Sequence, residues 1–114
     1  MELTSKQRAY LKSLASGIKP LFGIGKSNLT PEITDAISEA FATHEIIKVN
    51  VLKSTADEQD AAGLRAMGEM LAERTRSTLV CVIGRKIVLY KPYVDTKEKK
   101  HSDKIVLPKY KERG

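Results

Sequence analysis

At 114 residues and a net charge of +6, the chain has room for one domain built on a single hydrophobic core. An apolar share of 41% is that of a globular protein, and a pI near 9.5 favours a polyanionic partner such as nucleic acid. One cysteine excludes an internal disulfide framework, and the lack of an apolar signal core or a bilayer-length apolar run predicts a soluble, cytoplasmic protein.

Thr4-Ser5-Lys6-Gln7 has the spacing of a capping box, with the Thr4 hydroxyl bonding the Gln7 amide and the Gln7 side chain returning to Thr4. Leu11, Leu14, Ala15 and Ile18 then form a stripe at helical spacing, and Arg8 and Lys12, four apart, share one flank of that helix. Pro20 opens a short strand over Leu21 to Ile24, followed by the glycine-led turn Gly25-Lys26-Ser27-Asn28-Leu29. Thr30 and Pro31 signal the second helix, as cap and first helical residue, and Ile33, Ala36, Ile37, Ala40 and Phe41 give it an apolar face. Glu32, Asp35 and Glu39 line its outer side, a poor place for phosphate.

From Ile46 to Leu52, Ile47, Val49 and Val51 alternate with Lys48 and Asn50, the pattern of a half-buried strand. A third helix follows the polar stretch 53–59, with Ala61, Leu64, Met67, Gly68, Leu71 and Ala72 on its core face. Gly68 falls on the packed side, so close approach to a sheet is expected there. Thr78 to Ile83 and Lys86 to Tyr90 are two further strands, and Gly84-Arg85 fits a two-residue hairpin with glycine first. The order αβαβαββ predicts a two-layer α/β domain over residues 1–92, with helices packed on one sheet. Residues 93–114, rich in lysine and poor in apolar groups, read as a flexible basic tail, in which Ile105-Val106-Leu107-Pro108 is able to dock on the domain or on a partner.

The glycine turn decides between function classes. Gly25-Lys26-Ser27 spells the end of a nucleotide-binding P-loop, but the first glycine of that motif would fall at Pro20, and the helix starts too late. Nucleotide hydrolysis is thereby disfavoured. A plain turn with a solvated Lys26 is one remaining reading. The other is a clamp on a sugar-phosphate backbone, as in KH domains, where small residues and free amides let the chain come close.

Four segments carry a family resemblance, in order, over residues 3 to 91: Leu3-Thr4-Ser5-Lys6-Gln7-Arg8, Gly25-Lys26-Ser27-Asn28-Leu29-Thr30, His44-Glu45-Ile46-Ile47-Lys48-Val49, and the hairpin from Val82 to Tyr90. Together they resemble the YhbY-type stand-alone CRM domain. The resemblance implies a mixed four-stranded sheet similar to the C-terminal domain of translation initiation factor three. It also implies binding to ribosomal RNA in precursors of the large (50S) subunit during ribosome biogenesis. Asn28 stands where the family loop usually has its second glycine, and asparagine tolerates left-handed backbone angles best after glycine.

On this reading Lys26 neutralises a phosphate, and the amides of Ser27, Asn28 and Leu29 with the second helix's N-terminus hold its oxygens. Gly25 permits close approach and Thr30 closes the loop. Arg8, Lys12, Lys48, Arg85 and Lys86 are the further basic candidates, provided that the fold presents them on one side. The aromatics are too scattered for a base-stacking sheet, so backbone and shape recognition is expected. His44 reads as a helix C-terminal residue and Cys81 as an inert thiol in a strand. No catalytic or metal-binding residue, cofactor or small-molecule substrate is expected, and neither is a membrane partner. A monomer is expected. The alternative from another class is an adaptor docking on a ribosomal protein or assembly factor.

Overall fold

A computed structural model of the chain describes residues 2–25, 30–53, 55, 60–93, 105 and 107. Along the chain these form α1 (Ser5–Ala15), β1 (Phe22–Ile24), α2 (Pro31–Ala40), β2 (Ile46–Val51), α3 (Ala61–Thr75), β3 (Thr78–Ile83) and β4 (Lys86–Tyr90). The strands make one sheet in the order β1-β2-β4-β3, with β1 parallel to β2 and the other pairs antiparallel. The expected αβαβαββ order and mixed four-stranded sheet are therefore observed.

Local chemistry explains most boundaries. The capping box at the start of α1 forms in full, with Thr4 and Gln7 exchanging bonds of 3.1 Å in both directions. Asp60 starts α3 by accepting from the Gly63 amide at 2.7 Å. Arg76 ends it in the left-handed region, at φ 55°. Gly84 takes φ +56° at the first central position of the β3–β4 turn, the backbone angle which that turn demands and glycine supplies without strain.

Strand alternation then divides the core. On one side of the sheet, Ile47, Val49, Val51, Ile87, Leu89 and Leu79 pack with Ile37 and Phe41 of α2 and with Leu64, Leu71 and Ala72 of α3. On the other side, Ile46, Val80, Val88 and Tyr90 pack with Leu11 and Ala15 of α1. The helices thus lie on both faces: α2 and α3 form the main helical layer, and α1 adds a partial layer opposite. Both faces need cover because β4 is apolar at four successive positions, and Ile87, Val88, Leu89 and Tyr90 are all buried. The β3–β4 register shifts between Leu79 and Cys81, and this bulge lets the consecutive residues Val80 and Cys81 both join the α1 side.

Gly68 makes the close approach expected of it: a Cβ there would lie 2.9 Å from Leu79 Cδ1 and 3.3 Å from Ile87 Cγ2. Both neighbours are buried, so neither has room to retreat.

Tyr93, Ile105 and Leu107 come from the stretch expected to be a flexible tail, yet they are docked. Ile105 and Leu107 pack with the α1-side core, the docking that the Ile105–Pro108 run had allowed. The anchor is Glu45, buried at 5% exposure, whose two carboxylate oxygens accept from the Tyr93 amide at 2.8 Å and the Ile105 amide at 2.5 Å. Charge-assisted bonds of this kind are stronger than neutral ones, and they satisfy a carboxylate that burial would otherwise penalise. The other positions of 94–114 lie outside the described residues.

Two stability outcomes follow from these contacts. Gly68→Ala gains about 1 kcal/mol of helix propensity but overpacks the α3–sheet contact at a cost of roughly 1–3 kcal/mol. The melting temperature should fall, and a rise would show that Leu79 can retreat. Glu45→Ala removes a charged acceptor from two part-buried amides and should cost roughly 2–4 kcal/mol. Limited proteolysis should then cut beyond Tyr93 faster than in the unaltered protein.

Candidate nucleic-acid interface

The α1-side face is only half covered. Helix α1 reaches β3 through Arg8, whose Nη1 donates to the carbonyls of Leu79 and Val80 at 2.7 and 2.5 Å. It reaches the start of β2 through Leu14 and Ile18, which line a cleft with His44, Glu45 and Ile46. Beyond it, β1, β2, β4 and β3 present one register row, Gly23, Asn50, Lys86 and Ile83, none of which is buried. The next row inward places Lys48 beside Val88 and Cys81.

Cys81 reports on the charge around this surface. Burial pushes its thiol up from the ordinary value, while Lys12, Arg8 and Lys48 each pull it down. Burial wins, so the thiol stays protonated at neutral pH, as suits an inert strand cysteine. All three cations act on this one thiol and so share its neighbourhood, the condition that the sequence set for Arg8, Lys12 and Lys48. Arg8 differs from the lysines in also serving the fold, since one of its nitrogens is spent on the β3 carbonyls.

Lys86 joins the same surface by donating from Nζ to Asn50 Oδ1 at 2.8 Å. An open cleft of about 510 Å³ runs alongside, lined by Lys19, Pro20, Leu21, Phe22, Gly23, Asn50 and Lys86. Among the described residues its walls carry two lysines and no carboxylate. Among the described residues, Lys12, Lys19 and Lys48 have no ion-pair partner. Lys19, Gly23 and Asn50 were not among the sequence candidates. The alternation of β2 already put Asn50 on the same side as Lys48, but the pairing of Asn50 with Lys86 needs the register.

The glycine loop springs from one end of the sheet. Because β1 and β2 are parallel, Gly25 and Leu52 leave the sheet together, with the Leu52 amide donating to Ile24 O at 2.7 Å. Arg85 lies at the same end, exposed on the hairpin turn, and its carbonyl accepts from the Val51 amide at 2.7 Å. Gly25 itself is buried. A Cβ there would meet Leu52 Cδ1 at 3.0 Å and Thr55 Oγ1 at 3.1 Å, so its missing side chain makes room for the protein's own residues. Lys26, Ser27, Asn28 and Leu29 lie outside the described residues.

Thr30 and Pro31 occupy the expected cap and first helical positions of α2, but the Thr30 hydroxyl makes no capping bond. The Glu32 carboxylate draws it instead. That carboxyl is held below its ordinary value, chiefly by its own backbone amide and then by the Thr30 hydroxyl. An acidic side chain therefore already sits on the positive end of α2, and a phosphate bound there would have to displace it. His44 lies at the other end as expected, its Nδ1 2.9 Å from the Thr43 hydroxyl and 3.2 Å from the Ala40 carbonyl. Among the described residues no group of His, Cys, Asp and Glu is placed to hold a metal ion, and no helix is long and apolar enough to cross a membrane.

Comparison with known proteins agrees with this architecture. Residues 3–91 match the family model described as the CRS1 / YhbY (CRM) domain. The chain is 36% identical to a Bacillus subtilis protein named "Probable RNA-binding protein YqeI", over 93% of this chain and 99% of that one. It is 32% identical to a Haemophilus influenzae protein named "RNA-binding protein", over 83% of this chain and 91% of its relative. The solution structure of the hypothetical protein SAV1595 from Staphylococcus aureus superposes with a TM-score of 0.72 at 38% identity, covering 94% of this chain and 100% of that one. With helices packed on a mixed four-stranded sheet, a glycine loop leaving the β1 edge and a closing hairpin, the chain belongs to the CRS1/YhbY family of CRM-domain proteins.

Proposed function

We propose that this protein is a non-enzymatic RNA-binding module, and that its RNA is ribosomal RNA in precursors of the large subunit. The observation that carries the RNA reading is the half-open face of the sheet. There Lys48 and Lys86 lie on one sheet face, Lys12 and Arg8 act on Cys81 of that same face, and among the described residues the adjoining cleft has no carboxylate in its lining. Such a surface attracts a phosphate backbone by releasing its counterions. Two relatives named as RNA-binding proteins, alike over most of the chain, support the same assignment.

The division of labour differs from a loop-only clamp. Because Glu32 occupies the α2 N-terminus, the sheet face supplies most of the fixed positive field, and Lys26 with the loop amides grips the backbone where it passes the end of the sheet. Arg85 on the hairpin borders the same path, and the lysines of residues 93–114 add long-range attraction. The ribosomal assignment rests on family membership, and with it comes a cytoplasmic site of action.

One observation favours the adaptor reading as a second possibility: Leu21, Leu52 and Ile83 are each more than 40% exposed near this end of the sheet. A protein partner would cover them. The two readings separate in a pull-down treated with ribonuclease, in which partners lost on treatment favour RNA and partners retained favour the adaptor.

Charge reversal measures the surface directly. Lys48→Glu with Lys86→Glu should weaken RNA binding about tenfold or more at low salt and flatten the dependence of log affinity on log salt, with thermal unfolding little changed. Unaltered affinity would remove the sheet face from the site. In cell extracts the protein should sediment with large-subunit precursors, and the double variant should leave those fractions. Sedimentation with small-subunit precursors alone would overturn the ribosomal assignment.

A further inference from the structure

We infer that the cleft beside β1 is a seat for one unpaired RNA nucleotide and that it favours a base carrying a carbonyl oxygen. The inference rests on the RNA-binding reading and adds to it a place where a base, and not only the backbone, is held.

The argument begins with Asn50. Its side-chain amide meets the Lys86 ammonium at 2.8 Å, and an ammonium has donors only. The amide therefore turns its oxygen to Lys86 and keeps its NH₂ as a donor, and both residues line the cleft. Lys86 keeps further donors, and Lys19 brings an ammonium to the rim. Among the described lining residues the charged groups are both ammoniums, which only donate, and the one side-chain carbonyl, Asn50 Oδ1, already accepts from Lys86. A group that accepts suits this wall better than one that donates.

The rest of the cleft is shaped for a flat apolar body. Pro20 and Leu21 form one side, with Leu21 at 44% exposure, and Gly23 is the only residue of β1 whose register partner is Asn50. Without a side chain at position 23 the surface is low beside the Asn50 amide. The space belongs to the ligand side, because a Cβ at Gly23 would meet only Leu52 Cδ2 at 3.6 Å and Asn50 O at 3.9 Å, both ordinary contacts. Packing does not demand this glycine as it demands Gly68. A volume of about 510 Å³ exceeds what a phosphate fills and suits a base with part of its ribose.

Positive charge, paired donors and an apolar wall together select an unpaired nucleotide of a single strand, whose base edge is free. O4 or O2 of uracil and O6 of guanine can each accept from Asn50 and Lys86. Adenine has ring-nitrogen acceptors but no carbonyl, and the amino group beside N1 and N7 brings a donor against the ammonium of Lys86.

The test measures affinities of short oligo(U) and oligo(A) by fluorescence anisotropy for the full chain, for Gly23→Val and for Asn50→Leu. Circular dichroism melts confirm that the variants fold, as the ordinary contacts at position 23 predict. The unaltered protein should prefer oligo(U) by about fivefold or more, the discrimination of one good polar pair. Each variant should bring the ratio close to one, while lysine-dependent binding persists with its salt dependence. Comparing ratios within one protein and across variants removes the intrinsic stacking of oligo(A). Folded variants that keep the unaltered ratio, or an unaltered protein with no preference, would overturn the seat while leaving RNA binding intact. Failure of the unaltered protein to bind either oligonucleotide or ribosomal RNA would overturn the RNA reading itself.

Discussion

The molecule is organised by a mismatch of lengths. Helix α1 has eleven residues, so it is about 16 Å long and about 10 Å across. The six-residue strands beneath it run about 20 Å. Reaching from β3 to the start of β2, α1 covers the half of that face holding Ile46, Val80, Val88 and Tyr90 and leaves the other half to solvent. On the opposite face α2 and α3 together cover the apolar positions of the sheet. The exposed half is where β2 turns from isoleucine to lysine and asparagine, and where β4 begins with a lysine. Packing and charge thus divide one sheet face between structure and recognition.

Arg8 shows that the division is not absolute. Its guanidinium holds α1 to the β3 carbonyls, and its charge still reaches Cys81 from the covered half. Removing it would therefore perturb both the docking of α1 and the local potential, which makes the lysines cleaner reporters of binding than the arginine.

Most of the fold was legible in the sequence because its signals are local. The Thr4–Gln7 box, the alternation along β2, the glycine-first hairpin and the apolar face of α3 each follow from residues a few positions apart. Long-range choices were not legible. Nothing near Leu11 says which face of the sheet α1 takes, and nothing near Glu45 says that its carboxylate will meet amides at positions 93 and 105. The stretch 93–114 reads as mobile because its composition is poor in apolar residues, yet two apolar side chains and one buried acid dock positions 93, 105 and 107. For the site, residue type singled out Lys48 and Lys86, which the register places on one face, and a loop motif singled out Gly25. In the folded chain the glycine that lines the cleft is Gly23, which belongs to no motif.

The bulge in β3 has a meaning beyond the side-chain placement it permits. β3 is an edge of the sheet, and an edge strand is open to the strand of another molecule. Here two successive carbonyls on that edge are already taken by Arg8, and the register shift interrupts the straight ladder which an added strand would need. A foreign strand would have to evict a guanidinium and cross a kink before gaining its bonds. The contact that seats the first helix is also a guard against aggregation.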